Sequence, residues 1–160
     1  QAEDGIRDVE RSRGLGDVYK RQALDVTIQA QIMKLLLEIK AKRKMSIMLI
    51  THNFGLVAET GDMVAVMYSG KIVEHSPVNE IFDEPLHPYT QGLISCIPIR
   101  YERKREIEYI PGTLPSPINP PSGCRFHPRC KFAKDVCRSE EPPLVEIKKN
   151  HLVACHLYGG

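Results

Sequence analysis

Apolar positions along the chain fall into periodic segments from Ala23 onward and keep no period before it. Upstream, Ile6, Val9, Leu15 and Val18 follow neither a helical nor a strand spacing. From Ala23, Ile28, Ile32, Leu35, Leu36 and Ile39 take the i, i+4, i+7, i+8, i+11 spacing of one helical face. Asp25 or Thr27 offers an acceptor for the free N–H groups at the start of this helix. The basic run Lys40, Lys42, Arg43 and Lys44 suits its C-terminal end, where the helix dipole favours cations. Ile47, Met48, Leu49 and Ile50 then run without a polar break into Thr51, His52 and Asn53. Such a run predicts a strand buried on both faces, as in a parallel sheet with helices on each side. A polar residue at the carboxyl end of such a strand stands where α/β sheets bind ligands, which makes His52 a candidate. The plainer reading is that His52 lies in a loop or caps the next helix.

Further on, the pattern predicts a short helix over Phe54 to Thr60, stopped at Gly61. A second buried strand follows over Asp62 to Tyr68, then a turn at Ser69-Gly70 and a strand from Lys71 to His75. Pro77 to Asp83 reads as a short helix with proline in its first turn, and Thr90 to Ile97 as another, closed by Pro98. Arg100 to Glu108 alternates in charge and suits a solvated connector. Ile110 to Gly123 holds Pro111, Pro115, Pro117, Pro120 and Pro121, an extended stiff loop. A cysteine-rich segment closes the chain.

Composition narrows the class. The 160 residues, 42% hydrophobic and 26% charged, suit a soluble globular protein of one domain or one and a half small ones. A net charge of +2 is too small to argue for a nucleic-acid partner, although Arg125, Arg129 and Lys131 form a small basic group. No apolar run approaches the length of a membrane span, and the start carries no secretory signal. Gln1 to Gln22 mixes five basic residues, five acidic residues and three glycines. It resembles the translated adapter tails of bulk-sequenced reading frames, or else a charged disordered arm, and is set apart from the fold.

Cys124, Cys130, Cys137 and Cys155 are separated by five, six and seventeen residues, without a C-x-x-C pair. In the absence of a secretion signal, such a cluster points to metal rather than disulfides. Four thiolates on irregular loops can hold zinc or a [4Fe–4S] cluster, and reduced structural cysteines without metal are the alternative. Gly123, Pro128 and Arg129 suit tight loops beside such a site, with His127, His151 and His156 as substitute ligands. Cys96 falls with Leu93 and Ile97 on one helical face and reads as a core residue.

The ordered set Ala23-Leu24-Asp25-Val26-Thr27-Ile28-Gln29, then L-I-T-H-N at Leu49 to Asn53, then Ala65-Val66-Met67-Tyr68-Ser69-Gly70-Lys71-Ile72-Val73-Glu74 resembles the C-terminal half of an ABC-transporter ATPase. His87-Pro88-Tyr89-Thr90-Gln91-Gly92-Leu93, Pro111-Gly112 and the terminal cysteines narrow the resemblance to the oligopeptide/dipeptide (peptide/nickel) importer branch. It covers the chain from Ala23 to about Tyr158.

The resemblance implies an α/β fold, the C-terminal part of a P-loop NTPase (RecA-like) domain over residues 23–84. A small, irregular, cysteine-rich extension would follow over residues 85–160. It implies that Asp25 is the D-loop aspartate and that His52 is the switch histidine contacting the γ-phosphate of ATP. Asn53 stands where many relatives carry aspartate, so no carboxylate there helps position His52. The branch commonly carries this cysteine pattern, and in some members it resembles an iron–sulfur site, so [4Fe–4S] is favoured over zinc. ATP and Mg2+ are the implied ligands of the full-length member. The implied partners are membrane-spanning permease subunits and a second ATP-binding subunit, as homodimer or heterodimer, with a peptide-binding protein acting indirectly. The implied place is the cytoplasmic face of a bacterial or archaeal membrane.

No G-x-x-x-x-G-K-[ST] phosphate loop occurs in the sequence, and the glutamine loop, the L-S-G-G-Q motif and the Mg2+-binding strand are missing too. Gln22 replaces the serine that usually opens the D-loop. The chain therefore reads as a C-terminal fragment that does not hydrolyse ATP by itself, and strand Ile47 to Ile50 is expected to lack neighbours. Two other functions compete: a stand-alone iron–sulfur or zinc module without nucleotide chemistry, and a nucleic-acid-binding fragment. The D-loop and switch-histidine segments favour the ATPase subunit.

Overall fold

The computed structural model describes residues 28, 30–97, 110–116 and 118–159. Asp25 and the connector Arg100 to Glu108 lie outside them. The described residues up to Ile50 and the described residues from Thr51 onward fall into two compact units.

In the first unit, residues 30–43 form helix α1. It ends at Lys44 in a left-handed conformation (φ 50°), with the Met45 N–H returning to the Lys40 carbonyl at 3.3 Å. That closure satisfies a carbonyl the helix leaves unpaired. The face expected inside lies outside: Ile28, Ile32, Leu35 and Ile39 are exposed, while Met33 is buried. Residues 45–50 are neither helix nor strand, and Met48 and Ile50 are 90% and 92% exposed. The expected buried strand is therefore not formed. A strand is held by ladder partners and by cover on its faces, and no described strand pairs with this run.

The second unit is built on a four-stranded antiparallel sheet of order β1-β2-β4-β3. Helix α2 (Phe54–Thr60) comes first and stops at Gly61, where the chain turns extended. β1 (Met63–Tyr68) and β2 (Lys71–Pro77) follow as a hairpin. Its turn places Ser69 at φ 46° and Gly70 at φ 82°, the two positive φ values that match the twist of paired strands. Helix α3 (Val78–Asp83) leaves β2 through Pro77, and α4 (Pro88–Ser95) starts and ends two residues earlier than expected. A 3₁₀ turn (His127–Arg129), helix α5 (Val136–Ser139) and hairpin β3 (Val145–Lys148) and β4 (His151–Val153) complete the chain.

The fold is α/β, as expected, but its sheet is antiparallel and open. β1 accordingly alternates between exposed and covered positions instead of being buried on both faces. The cysteine-rich segment is less irregular than expected, because β3 and β4 extend the sheet. β2 is a central strand, and Val73 and Glu74, on opposite faces, are both buried.

Two apolar clusters hold the unit. Val66, Tyr68, Val73, Ile81 and Phe126 form the larger; Leu86, Val153 and Cys155 form the smaller. Within the larger, the Tyr68 ring meets Tyr89 at 4.7 Å and Phe126 at 5.1 Å, both edge-on. These contacts join the β1–β2 turn, the start of α4 and the first cysteine loop. Cys96, expected in the core, is exposed, because α4 ends before it and it serves as the C-cap. No helix among the described residues is long and apolar enough to cross a membrane.

Candidate functional site

His52 is exposed and stands in a bend directly before α2. Its neighbours shape that bend. The Asn53 N–H donates to Thr51 Oγ1 at 3.0 Å, and Asn53 Oδ1 accepts the Leu56 N–H at 3.2 Å. Asn53 is thus the N-cap of α2, a role its short amide fills well. His52 is left with an exposed imidazole directly before the start of a helix.

The cysteines are drawn together by loop geometry. Gly123 adopts φ 66°, and a Cβ there would stand 2.5 Å from the Cys137 carbonyl oxygen. This close approach lets the Cys124 N–H donate to that carbonyl at 2.9 Å, docking the first cysteine loop on α5. Cys130 is the C-cap of the 3₁₀ turn. The Lys134 N–H lies 3.4 Å from Cys137 Sγ. Cys155 stands two residues after the end of β4 and packs on Leu86 and Val153.

All four thiols share one neighbourhood, since Cys124, Cys130 and Cys137 each act on Cys155 electrostatically. Burial pushes the Cys155 thiol up to about 11, with those three neighbours adding to the rise. Burial also raises Cys124 and Cys130. Opposing this, backbone hydrogen bonds from Phe126, Phe132 and Leu157 favour the thiolates of Cys124, Cys130 and Cys155 respectively. In each case the donor is two residues beyond the cysteine.

Among the described residues, no three His, Cys, Asp or Glu side chains already stand in a metal-holding arrangement. The histidines considered as substitute ligands are engaged elsewhere. His127 Nδ1 donates to the Cys124 carbonyl at 2.9 Å, and His156 Nε2 to the Glu140 carbonyl at 3.0 Å. His151 Nε2 donates to Glu74 Oε1 at 2.8 Å. The arginines of the small basic group are also committed inside the unit. Arg125 donates to the Ser69 carbonyl, and Arg129 to the Pro111 and Ile110 carbonyls at 2.8 and 3.0 Å.

A second polar centre was not foreseen. Glu74 and His151 are both 0% exposed. Besides His151, the Glu74 carboxylate accepts the Leu86 N–H at 2.7 Å and the His87 N–H at 2.9 Å. His87 is buried too, and its Nδ1 accepts the Tyr89 N–H at 3.0 Å, capping α4. Burial holds the His87 imidazole down at about 4, partly offset by the Glu74 charge. The one available sequence signal was a glutamate inside β2, and strand alternation gives no reason to bury it.

Residues 73–137 match the family model described as the oligopeptide/dipeptide transporter C-terminal region. A dipeptide transport ATP-binding protein of Caldanaerobacter subterraneus is 46% identical over 136 residues, 85% of this chain and 42% of that protein. An oligopeptide transport ATP-binding protein of Bacillus subtilis is 47% identical over 136 residues, with the same two coverages of 85% and 42%. A dipeptide transport ATP-binding protein of Haemophilus influenzae is 48% identical over 134 residues, 84% of this chain and 40% of that protein. The chain thus spans about two fifths of the length of these curated relatives.

Proposed function

We propose, on the premise that the chain belongs to the oligopeptide/dipeptide transporter ATP-binding family, that it acts as the C-terminal part of the ATP-binding subunit of a peptide importer. The observation that carries this is the 46% identity over 85% of the chain to a dipeptide transport ATP-binding protein. In this reading His52 donates a hydrogen bond to a γ-phosphate oxygen as charge develops there, and Asp25 crosses to the opposite nucleotide site. The phosphate loop and the magnesium ligands are not in this sequence, so ATP and Mg2+ do not find a complete site on the isolated chain. Its partners are membrane-spanning permease subunits and a second ATP-binding subunit, at the cytoplasmic face of the membrane. A peptide-binding protein acts indirectly.

A chimera tests this. Residues 23–160 replace the matching segment of the Bacillus subtilis relative, and phosphate release and peptide uptake are measured. Turnover in the chimera and its loss in His52→Ala are expected. A folded, nucleotide-binding chimera that turns over equally with and without His52 overturns the role of His52. The isolated chain should give only background phosphate release.

A second reading concerns the cysteines, and the backbone N–H of Lys134, which donates to Cys137 Sγ at 3.4 Å, favours it. Such donors stabilise thiolates, as a bound cation does. Cys124, Cys130, Cys137 and Cys155 then hold a metal centre that staples a segment poor in large apolar residues, as [4Fe–4S] before zinc. Iron, sulfide and zinc analysis of anaerobically purified protein decides it: four irons with sulfide support the cluster, one zinc replaces it, and neither removes the metal reading.

A further inference from the structure

The buried carboxylate of Glu74 gathers three stretches of chain that are far apart in sequence. On one side it binds the backbone N–H groups of Leu86 and His87, which lead into α4. On the other it binds the ring of His151, the first residue of β4. In the ladder, Glu74 also stands opposite Val153, and His75 opposite Leu152. β4 has only three residues, and past these two pairs the Ala154 N–H reaches the Val73 carbonyl at 2.9 Å. So short a strand is weakly held by its ladder alone.

Cys155 comes two residues after β4 ends, and it is buried against Leu86 and Val153. Glu74 therefore fixes both of its packing neighbours, Leu86 through a backbone N–H and Val153 through strand register.

We propose that the buried Glu74–His151 pair is the positioning device for Cys155: a latch that holds β4 against β2 and so keeps the fourth thiol beside Cys124, Cys130 and Cys137. Opening the latch frees β4 and the chain around Cys155, while the other three cysteines stay in their own loops, which are docked through Gly123 and Cys137. The latch acts on the chain around Cys155 whatever the cysteines hold. It is also sensitive to loss of one member. His151 Nδ1 has no hydrogen-bond partner and lies 3.9 Å from Glu80 Oε2, so the His151 ring depends on Glu74 for its one hydrogen bond. A competing tether exists in His156, which donates to the Glu140 carbonyl and whose own carbonyl accepts Lys134 Nζ at 3.1 Å.

The test is residue-resolved alkylation of the full chain with a maleimide, read by mass spectrometry, with exposed Cys96 as the fast internal reference. Labelling of a buried thiol follows local opening, so Cys155 in His151→Ala should label at least about tenfold faster, with Cys124, Cys130 and Cys137 changing less than about threefold. His151→Gln, whose amide can donate to Glu74, should return Cys155 to within about threefold of the native rate. An unchanged Cys155 rate in His151→Ala overturns the proposal and assigns the tether to His156. Hydrogen exchange at the Cys124 and Gln91 amides, which donate to the Cys137 and His87 carbonyls, reports whether the rest of the unit stays closed. If those amides open in His151→Ala, the milder His151→Asn takes its place. There a selective rise at Cys155 supports the latch, and an equal rise at all four thiols overturns it.

Discussion

Residues 45–50 and strand β2 invert each other. The first stretch has the more apolar sequence, yet Met48 and Ile50 are 90% and 92% exposed. The second carries a glutamate that is 0% exposed. Hydrophobicity supplies a driving force, but burial requires something to be buried against. β2 has a strand on either side and the Tyr68, Ile81 and Phe126 cluster over Val73. The apolar run has no ladder partner among the described residues. Glu74 is tolerated inside because its carboxylate accepts three hydrogen bonds from Leu86, His87 and His151. What separates the two stretches is the supply of partners.

Removing the acceptor should have the largest effect. Glu74→Ala strands two buried N–H groups and the His151 ring, and breaking such a buried network costs about 3–5 kcal/mol. Urea unfolding of the second unit should show it as a fall in midpoint with the slope preserved. A loss under about 1 kcal/mol, the size of a surface pair, would mean that Glu74 is not the organiser of β2 and α4.

The next effect is one of pH. His87 is held neutral, with its pKa down from 6.5 to about 4 by burial. Above 6.5 it is uncharged in both folded and unfolded chains and leaves stability unchanged. As pH falls from 6.5 towards 4, the unfolded chain takes up a proton that the folded chain refuses, so stability is lost across that window. A shift of this size corresponds to an upper bound of about 3 kcal/mol. Structure gives the same sign, since a protonated Nδ1 cannot accept the Tyr89 N–H. His87→Asn keeps a capping acceptor without the titration, and it should flatten the stability profile between pH 6.5 and 5. An equally steep profile in that variant assigns the loss to the carboxylates.

The same contrast explains what was legible in the sequence. Features set by neighbouring residues were readable: α2 and its stop at Gly61, the Ser69-Gly70 turn, and the stiff loop after Ile110. Features set by distant partners were not. The exposed face of α1 depends on what lies opposite it, whereas the lack of neighbours for residues 47–50 was expected from the motifs that the sequence does not contain. The β3–β4 hairpin was hidden because its strands have four and three residues and turn at a left-handed Asn150. Of the candidate site, His52 stands in the open, the four cysteines share a neighbourhood, and Asp25 lies outside the described residues. Glu74 escaped notice because no local pattern reveals a carboxylate whose partners lie 12, 13 and 77 residues away.

A smaller effect is expected at Gly123, where the partner is backbone. Gly123→Ala adds a Cβ 2.5 Å from the Cys137 carbonyl oxygen, at a left-handed φ of 66°. Left-handed backbone alone costs about 1–2 kcal/mol for a residue with a Cβ, and the contact adds to it. Cys124 and Cys137 should then separate, and thiol alkylation should rise at those two before Cys155. That order is the reverse of the one expected when the Glu74–His151 latch opens. A variant as stable as the parent would mean the loop has room that the geometry denies.

The smallest effect belongs to the apolar run itself. Isoleucine normally contributes about 1.5–3 kcal/mol when it is fully buried, through the surface it removes from water. Ile50 is 92% exposed and so has almost no such surface to lose. Ile50→Ser should change the unfolding midpoint of the chain by no more than about 0.5 kcal/mol, the range of ordinary surface substitutions. Because it removes an exposed apolar group, it should also lower dye binding and self-association, read by fluorescence and light scattering. Adding the N-terminal portion of a relative supplies candidate partners, and in that chimera the same substitution should become costly by at least about 1.5 kcal/mol. A small effect in both settings would mean that residues 47–50 are never a strand. A large effect in the isolated chain would mean that the run already has a partner, and the contrast with β2 would then fail.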